Sequence, residues 1–231
     1  MMIAADLSEL IARKERPCPE LEACLRRDPA LGWIIKHPLV VDIMVDPERC
    51  ARQNAMLAAK RERVEAARAD GDWALYLGLH ERPFRFEALN GLARTGGLSK
   101  PDFGQALAYA WRDSENIHEN LNGWRRLWNS RRLVKDALMS PEELAAYAAL
   151  PPVVLAWRGY THPKGCLGLS WTSSLEVAMW FAQRWKNAQD AAFVAAAYVP
   201  APAVAAMFLR GEYELVIPEL PRDARISLKR V

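Results

Sequence analysis

The apolar positions of this chain change their period once. Up to Leu150 they recur at steps of three and four among good helix formers; beyond Pro151-Pro152 they gather into short, nearly continuous runs or alternate with polar residues. Residues 1–150 therefore read as mostly helical. Asp6 or Ser8 suits the cap of a first helix, and Pro17 and Pro19 interrupt the pattern before a segment from Leu21 to Arg27. Pro47 to Ala69 is rich in Ala, Arg, Glu and Lys and stops at Asp70-Gly71, as a helix should. Leu39 to Val45 fits either a short strand or a buried turn of helix. Gly91, Gly96 and Gly97 mark a flexible connection that lacks the Gly-Lys-Ser/Thr of a phosphate loop. Ile117, Leu121, Trp124 and Trp128 form one face of an amphipathic helix, and Ser140-Pro141-Glu142-Glu143 is a capping box opening another.

After Pro151-Pro152 five strands and one helix are predicted. Val153 to Tyr160 is a run suited to a strand covered on both faces, and Leu167 to Thr172, Phe193 to Val199, Glu212 to Ile217 and Arg225 to Val231 complete the set. Ser173 to Glu176 reads as a second capping box, starting a helix to about Lys186 that buries Val177, Trp180 or Phe181, and Trp185. Within Glu212 to Ile217 the period of two sets Glu212 and Glu214 on one face and Tyr213 on the other. The stretch Ala191 to Leu209 carries no charge and has about the length of a membrane span, but it is alanine-rich and broken by Pro200 and Pro202. It reads as a strand and a connection, with no membrane role. The fold class is α+β: a helical region, 1–150, on a small mixed sheet, 151–231, the two sharing one interior.

Composition narrows the function only a little. A content of 51% hydrophobic and 26% charged residues is that of a folded globular chain. The net charge of +3 arises entirely after Pro151, where nine Lys/Arg face six Asp/Glu; the first 150 residues hold 22 of each. That balance disfavours a wholesale nucleic-acid-binding domain and leaves Arg125, Arg126, Arg131 and Arg132 as a local cluster, read as a helix end favourable to the dipole or as a phosphate patch. Cys18, Cys24, Cys50 and Cys166 show no paired spacing, which fits free thiols in a reducing, cytoplasmic setting. His37, His80, His118 and His162 show no ligand spacing, so no metal is expected.

Three motifs follow in order: Arg158 near the end of a strand, Ser170-Trp171-Thr172 ahead of a capped helix, and Glu212-Tyr213-Glu214 heading a later strand. Together they resemble the Arg-Ser-Glu class of mono-ADP-ribosyltransferases, a group that includes bacterial toxins modifying arginine. The resemblance covers residues 153–217. It implies an ADP-ribosyltransferase sheet with NAD as substrate, bound by Arg158 within Trp157-Arg158-Gly159-Tyr160. It also implies that Ser170 steadies Glu214, that Glu214 is catalytic, and that Glu212 is the acid that goes with an arginine acceptor. Trp171 and Tyr160 would wall the nicotinamide pocket, beside Thr172.

The chemistry is consistent with those residue types. Cleavage of the nicotinamide–ribose bond develops an oxocarbenium ion that a carboxylate stabilises, and a guanidinium gives a pyrophosphate paired, directional bonds. The expected activity is transfer of ADP-ribose to a macromolecular acceptor, a protein arginine ahead of nucleic acid, in a toxin–antitoxin or phage-effector setting with an inhibitor protein as a further partner. The alternatives are an NAD glycohydrolase, a transferase acting on RNA or DNA, and a non-catalytic RNA-binding module that uses the arginine cluster.

Overall fold

The computed structural model describes residues 4–114, 116–161, 165, 168–184, 191–221, 224 and 226–230. They divide into two compact units: Met1–Leu92 with Tyr109–Glu115, and Ala93–Ala108 with Asn116–Val231.

The first unit contains α1 (Ala4–Ala12), α2 (Pro19–Ala23), β1 (Leu25–Asp28), β2 (Gly32–His37), β3 (Val40–Asp42), α3 (Ala51–Asp70) and α4 (Trp73–Leu79), followed by most of α5 (Arg85–Thr95) and the end of α6 (Lys100–Asp113). Its antiparallel sheet β1-β2-β3 is a departure from the helical reading of residues 1–150. The segment from Leu21 was expected to continue as helix to Arg27, but α2 ends at Ala23. Asp28 then closes a turn by accepting the N–H groups of Ala30 and Leu31, and Gly32 takes a φ of 74° that returns the chain as β2. Leu39 to Val45 resolves into the strand β3. Leu21, Ile35, Val40, Cys50 and Leu57 pack together as a buried core. Gly91 lies inside α5 rather than in a connection, and Gly96, at φ 74°, follows the helix end.

The second unit continues with α7 (Leu121–Trp128), α8 (Lys135–Leu138), α9 (Pro141–Ala148), β4 (Val153–Tyr160), β5 (Ser170–Thr172), α10 (Leu175–Arg184), β6 (Phe193–Pro200), β7 (Ala206–Phe208), β8 (Glu214–Val216) and β9 (Ile226–Arg230). Ile117–Asn120 is a 3-10 turn, so the amphipathic helix starts only at Leu121; Trp124 and Trp128 are buried as its periodicity requires. The capping box of α9 is complete: Ser140 Oγ accepts from Glu143 N–H and Glu143 Oε2 accepts from Ser140 N–H.

The six strands run in the order β7-β8-β5-β4-β6-β9, and every pairing is antiparallel, not mixed. The reason is topological. Strands β5 and β6 flank β4 on opposite sides, so the two strands joined through α10 never become neighbours. The uncharged alanine-rich stretch supplies two strands, β6 and the unexpected β7, turned by the 3-10 segment Ala201–Ala203. Among the described residues no helix is long and apolar enough to cross a membrane.

The two edges of the sheet differ. On β7 every residue is buried, Met207 N–H meets Met139 Sδ at 3.3 Å, and just beyond the strand Leu209 N–H meets Glu143 Oε1 at 3.3 Å. On β9 all five residues are exposed.

Candidate active site

The three motifs lie on neighbouring strands, β4, β5 and β8, although more than fifty residues separate the first from the last in sequence. Trp157 pairs with Thr172, and Thr172 pairs with Glu214, so these three side chains form a row on one face. Thr172 is 4% and Glu214 7% exposed. A carboxylate this far from water costs several kcal/mol unless its surroundings compensate, so the position is not one that a surface strand end would occupy.

The expected strand from Glu212 to Ile217 is shorter than its pattern. It begins at Glu214, because Tyr213 adopts φ 46° and turns the chain immediately before it. The alternation that was to align Glu212 with Glu214 is thereby broken. Glu212 stays beside the site by another route: Thr172 Oγ1 donates to the Glu212 carbonyl at 2.7 Å, and Ser173 N–H donates to the Tyr213 carbonyl at 3.1 Å. The same Thr172 hydroxyl oxygen accepts the Ser174 N–H at 3.1 Å. One buried threonine thus ties the turn carrying the two acids to the start of α10. The side chain of Tyr213 is half exposed.

Arg158 points to the face of β4 opposite Trp157, since β4 pairs with β6 without a bulge from Val153 to Tyr160. Its guanidinium donates from Nε to the Gly165 carbonyl at 2.6 Å and from Nη1 to the Ser170 carbonyl. Gly168 lies directly beneath it: a Cβ there would overlap the guanidinium. Sequence reasoning passed over Gly168, whose only signal is a glycine two residues before the serine motif. Ser170 therefore enters through its backbone carbonyl, bonded to Arg158, and it sits on β5 two residues from Thr172.

The remaining residues of the three motifs are held by packing. Gly159 faces α10, and any Cβ would collide with the Ala178 carbonyl and the Ala182 N–H, so this glycine allows the helix to lie directly on the strand. Tyr160 is buried and stacks on Phe193 with ring centroids 5.5 Å apart. Trp171 is buried, and its indole N–H donates to the Gly168 carbonyl at 3.0 Å.

Two expectations about α10 change. Its cap is Ser174, whose Oγ accepts the Val177 N–H at 3.3 Å, not the Ser173–Glu176 box. Its buried side is made by Ala178 and Ala182, with Trp180 52% exposed, because contact as close as that at Gly159 admits only small side chains. Trp185, Cys166 and His162 lie outside the described residues.

In the arginine cluster, Arg125 donates to the Pro218 carbonyl and to Asn122, while Arg132 donates to the Ala93 and Leu98 carbonyls and lies 4.7 Å over the Phe103 ring. Arg125 and Arg132 are thus engaged in holding the second unit together. No group of His, Cys, Asp and Glu suited to a metal ion occurs among the described residues. No protein-family model matches the chain, and no curated protein or solved structure matches it significantly.

Proposed function

We propose that this chain is a mono-ADP-ribosyltransferase that uses NAD as substrate and Glu214 as its catalytic carboxylate. The observation that carries the reading is the buried Glu214 at the first position of β8, paired with Thr172 one strand from the β4 arginine. A carboxylate shielded from water stabilises a developing oxocarbenium ion more strongly than a solvated one does. Arg158 lies on the opposite face of the sheet from Glu214, so in this reading it does not share a ligand with that carboxylate and acts from behind the site, holding the Gly165 and Ser170 carbonyls. The C–N bond to nicotinamide breaks with its electron pair leaving on nicotinamide. The acceptor nitrogen then attacks the anomeric carbon, and its proton passes to Glu212.

The acceptor in this reading is a protein arginine, because Glu212, two residues before the catalytic acid and tied by its backbone carbonyl to Thr172, supplies a second acid suited to a guanidinium nucleophile. A cognate inhibitor protein is part of the same proposal. The test uses labelled NAD with a bacterial lysate, followed by separate protease and nuclease digestion of the labelled material. Protein-bound label that is lost in Glu214→Gln supports the proposal. In Glu212→Gln, release of nicotinamide should persist at a reduced rate while labelled protein disappears. Free ADP-ribose with no labelled macromolecule would establish hydrolysis instead, and no nicotinamide release from the wild-type chain would overturn the proposal altogether.

A further inference from the structure

A pocket of about 370 Å³ lies in the second unit beyond the end of β8, at the opposite end of that strand from Glu214. Its volume is at the small end of the range for specific small-molecule sites. The lining is mixed, about half of it polar: Trp128, Leu138, Val204 and Pro218 are buried behind it, and Leu133 and Pro202 are the more accessible apolar side chains. The mouth is charged. It carries an exposed cation, Lys135, an exposed carboxylate, Glu219, and the amide of Asn129, which donates to Glu219 Oε1 at 3.3 Å. Lys135 is fixed over the Tyr147 ring, 3.8 Å from its centroid, and donates to the Tyr147 hydroxyl, which in turn donates to the Val204 carbonyl at 3.0 Å. Both rim charges are therefore oriented by neighbouring side chains.

We infer that this pocket binds a small zwitterion with an apolar body, the chemistry of a hydrophobic α-amino acid. A simple anion would be drawn to Lys135 but repelled by Glu219, and a simple cation would meet the reverse. A wholly apolar ligand would strip water from both charges and return nothing to them. A zwitterion matches each rim charge with its opposite, and its side chain lies along the accessible apolar surface of Leu133 and Pro202. The inference is independent of the proposed transferase activity, since none of these residues belongs to the β4-β5-β8 row.

The experiment titrates the full chain with L-phenylalanine, N-acetyl-L-phenylalanine and L-phenylalanine amide by calorimetry. The amino acid is expected to bind saturably, with each blocked derivative weaker by about tenfold or more. Glu219→Gln should abolish the difference between the amino acid and its acetyl derivative, and Lys135→Gln the difference from the amide. Both positions are exposed, so circular dichroism should be unchanged in the two variants. Absence of saturable binding, equal binding of all three compounds to the wild type, or binding indifferent to both substitutions would overturn the inference.

Discussion

Tyr213 shows at the scale of one residue why the acidic motif was only half legible. The pattern Glu-Tyr-Glu-Leu-Val-Ile alternates well enough to read as a strand from its first position, and propensity contains no warning that a tyrosine will take a left-handed φ of 46°. The turn is imposed by partners distant in sequence, the Thr172 hydroxyl and the Ser173 N–H. A non-glycine residue in this region costs about 1 kcal/mol or more, and half of the Tyr213 side chain gains little from packing. Tyr213→Gly is therefore expected to raise stability by up to about 1 kcal/mol in chemical denaturation, the relief of strain being partly offset by the greater entropy of an unfolded glycine.

A second residue-scale prediction concerns His37 in the first unit. It is 6% exposed, its Nδ1 accepts the Leu39 N–H at 3.1 Å, and its Nε2 lies 2.8 Å from Glu20 Oε1. Burial pushes its pKa below the ordinary histidine value, and protonating Nδ1 would break the bond from Leu39. A lowered native pKa means that the unfolded chain takes up the proton first. The contribution of the neutral ring is thus complete above the unfolded value of about 6.5 and is lost as pH falls through the lowered native value. Denaturation midpoints measured between about pH 7.5 and 5 should fall toward acid, and a His37→Gln variant should show a shallower fall over the same range.

At the scale of elements, those with a local cause were legible. The helices over Ala51–Asp70 and Pro141–Ala148 have their stop at Gly71 and their cap at Ser140 written in sequence, and both are found. The strands β1 and β2 were not, because their pairing depends on a turn closed by Asp28 inside a segment rich in charge. The α10 cap was assigned one residue early because Ser173-Ser174 offers two hydroxyls, and only their distance to Val177 N–H distinguishes them. Ser174→Ala should cost about 1 kcal/mol of stability, whereas Ser173→Ala, at an exposed position, should cost a few tenths at most; paired denaturation curves decide between them.

For the whole molecule, the change of hydrophobic period at Pro151-Pro152 marks where the strands of the six-stranded sheet begin, with α10 lying among them. It does not separate compact units, since α7, α8 and α9 belong to the same unit as the six-stranded sheet. The reason is visible at β7, where Met139 Sδ and Glu143 Oε1 accept the main-chain N–H groups of Met207 and Leu209, and the Tyr147 hydroxyl donates to the Val204 carbonyl. A fragment of residues 151–231 would lose all three partners and open a buried edge to water. It is expected to be unfolded or aggregated by circular dichroism and gel filtration, while a chain that also retains the preceding helices keeps its sheet signal.

The unequal edges of that sheet set a limit on self-association. A sheet with two open edges can add copies at both sides and grow without end, whereas this one is closed along β7 and open along β9. Copies joining strand to strand through this sheet would meet β9 against β9 about a two-fold axis, and each would then present only its closed side. Such growth ends at a pair.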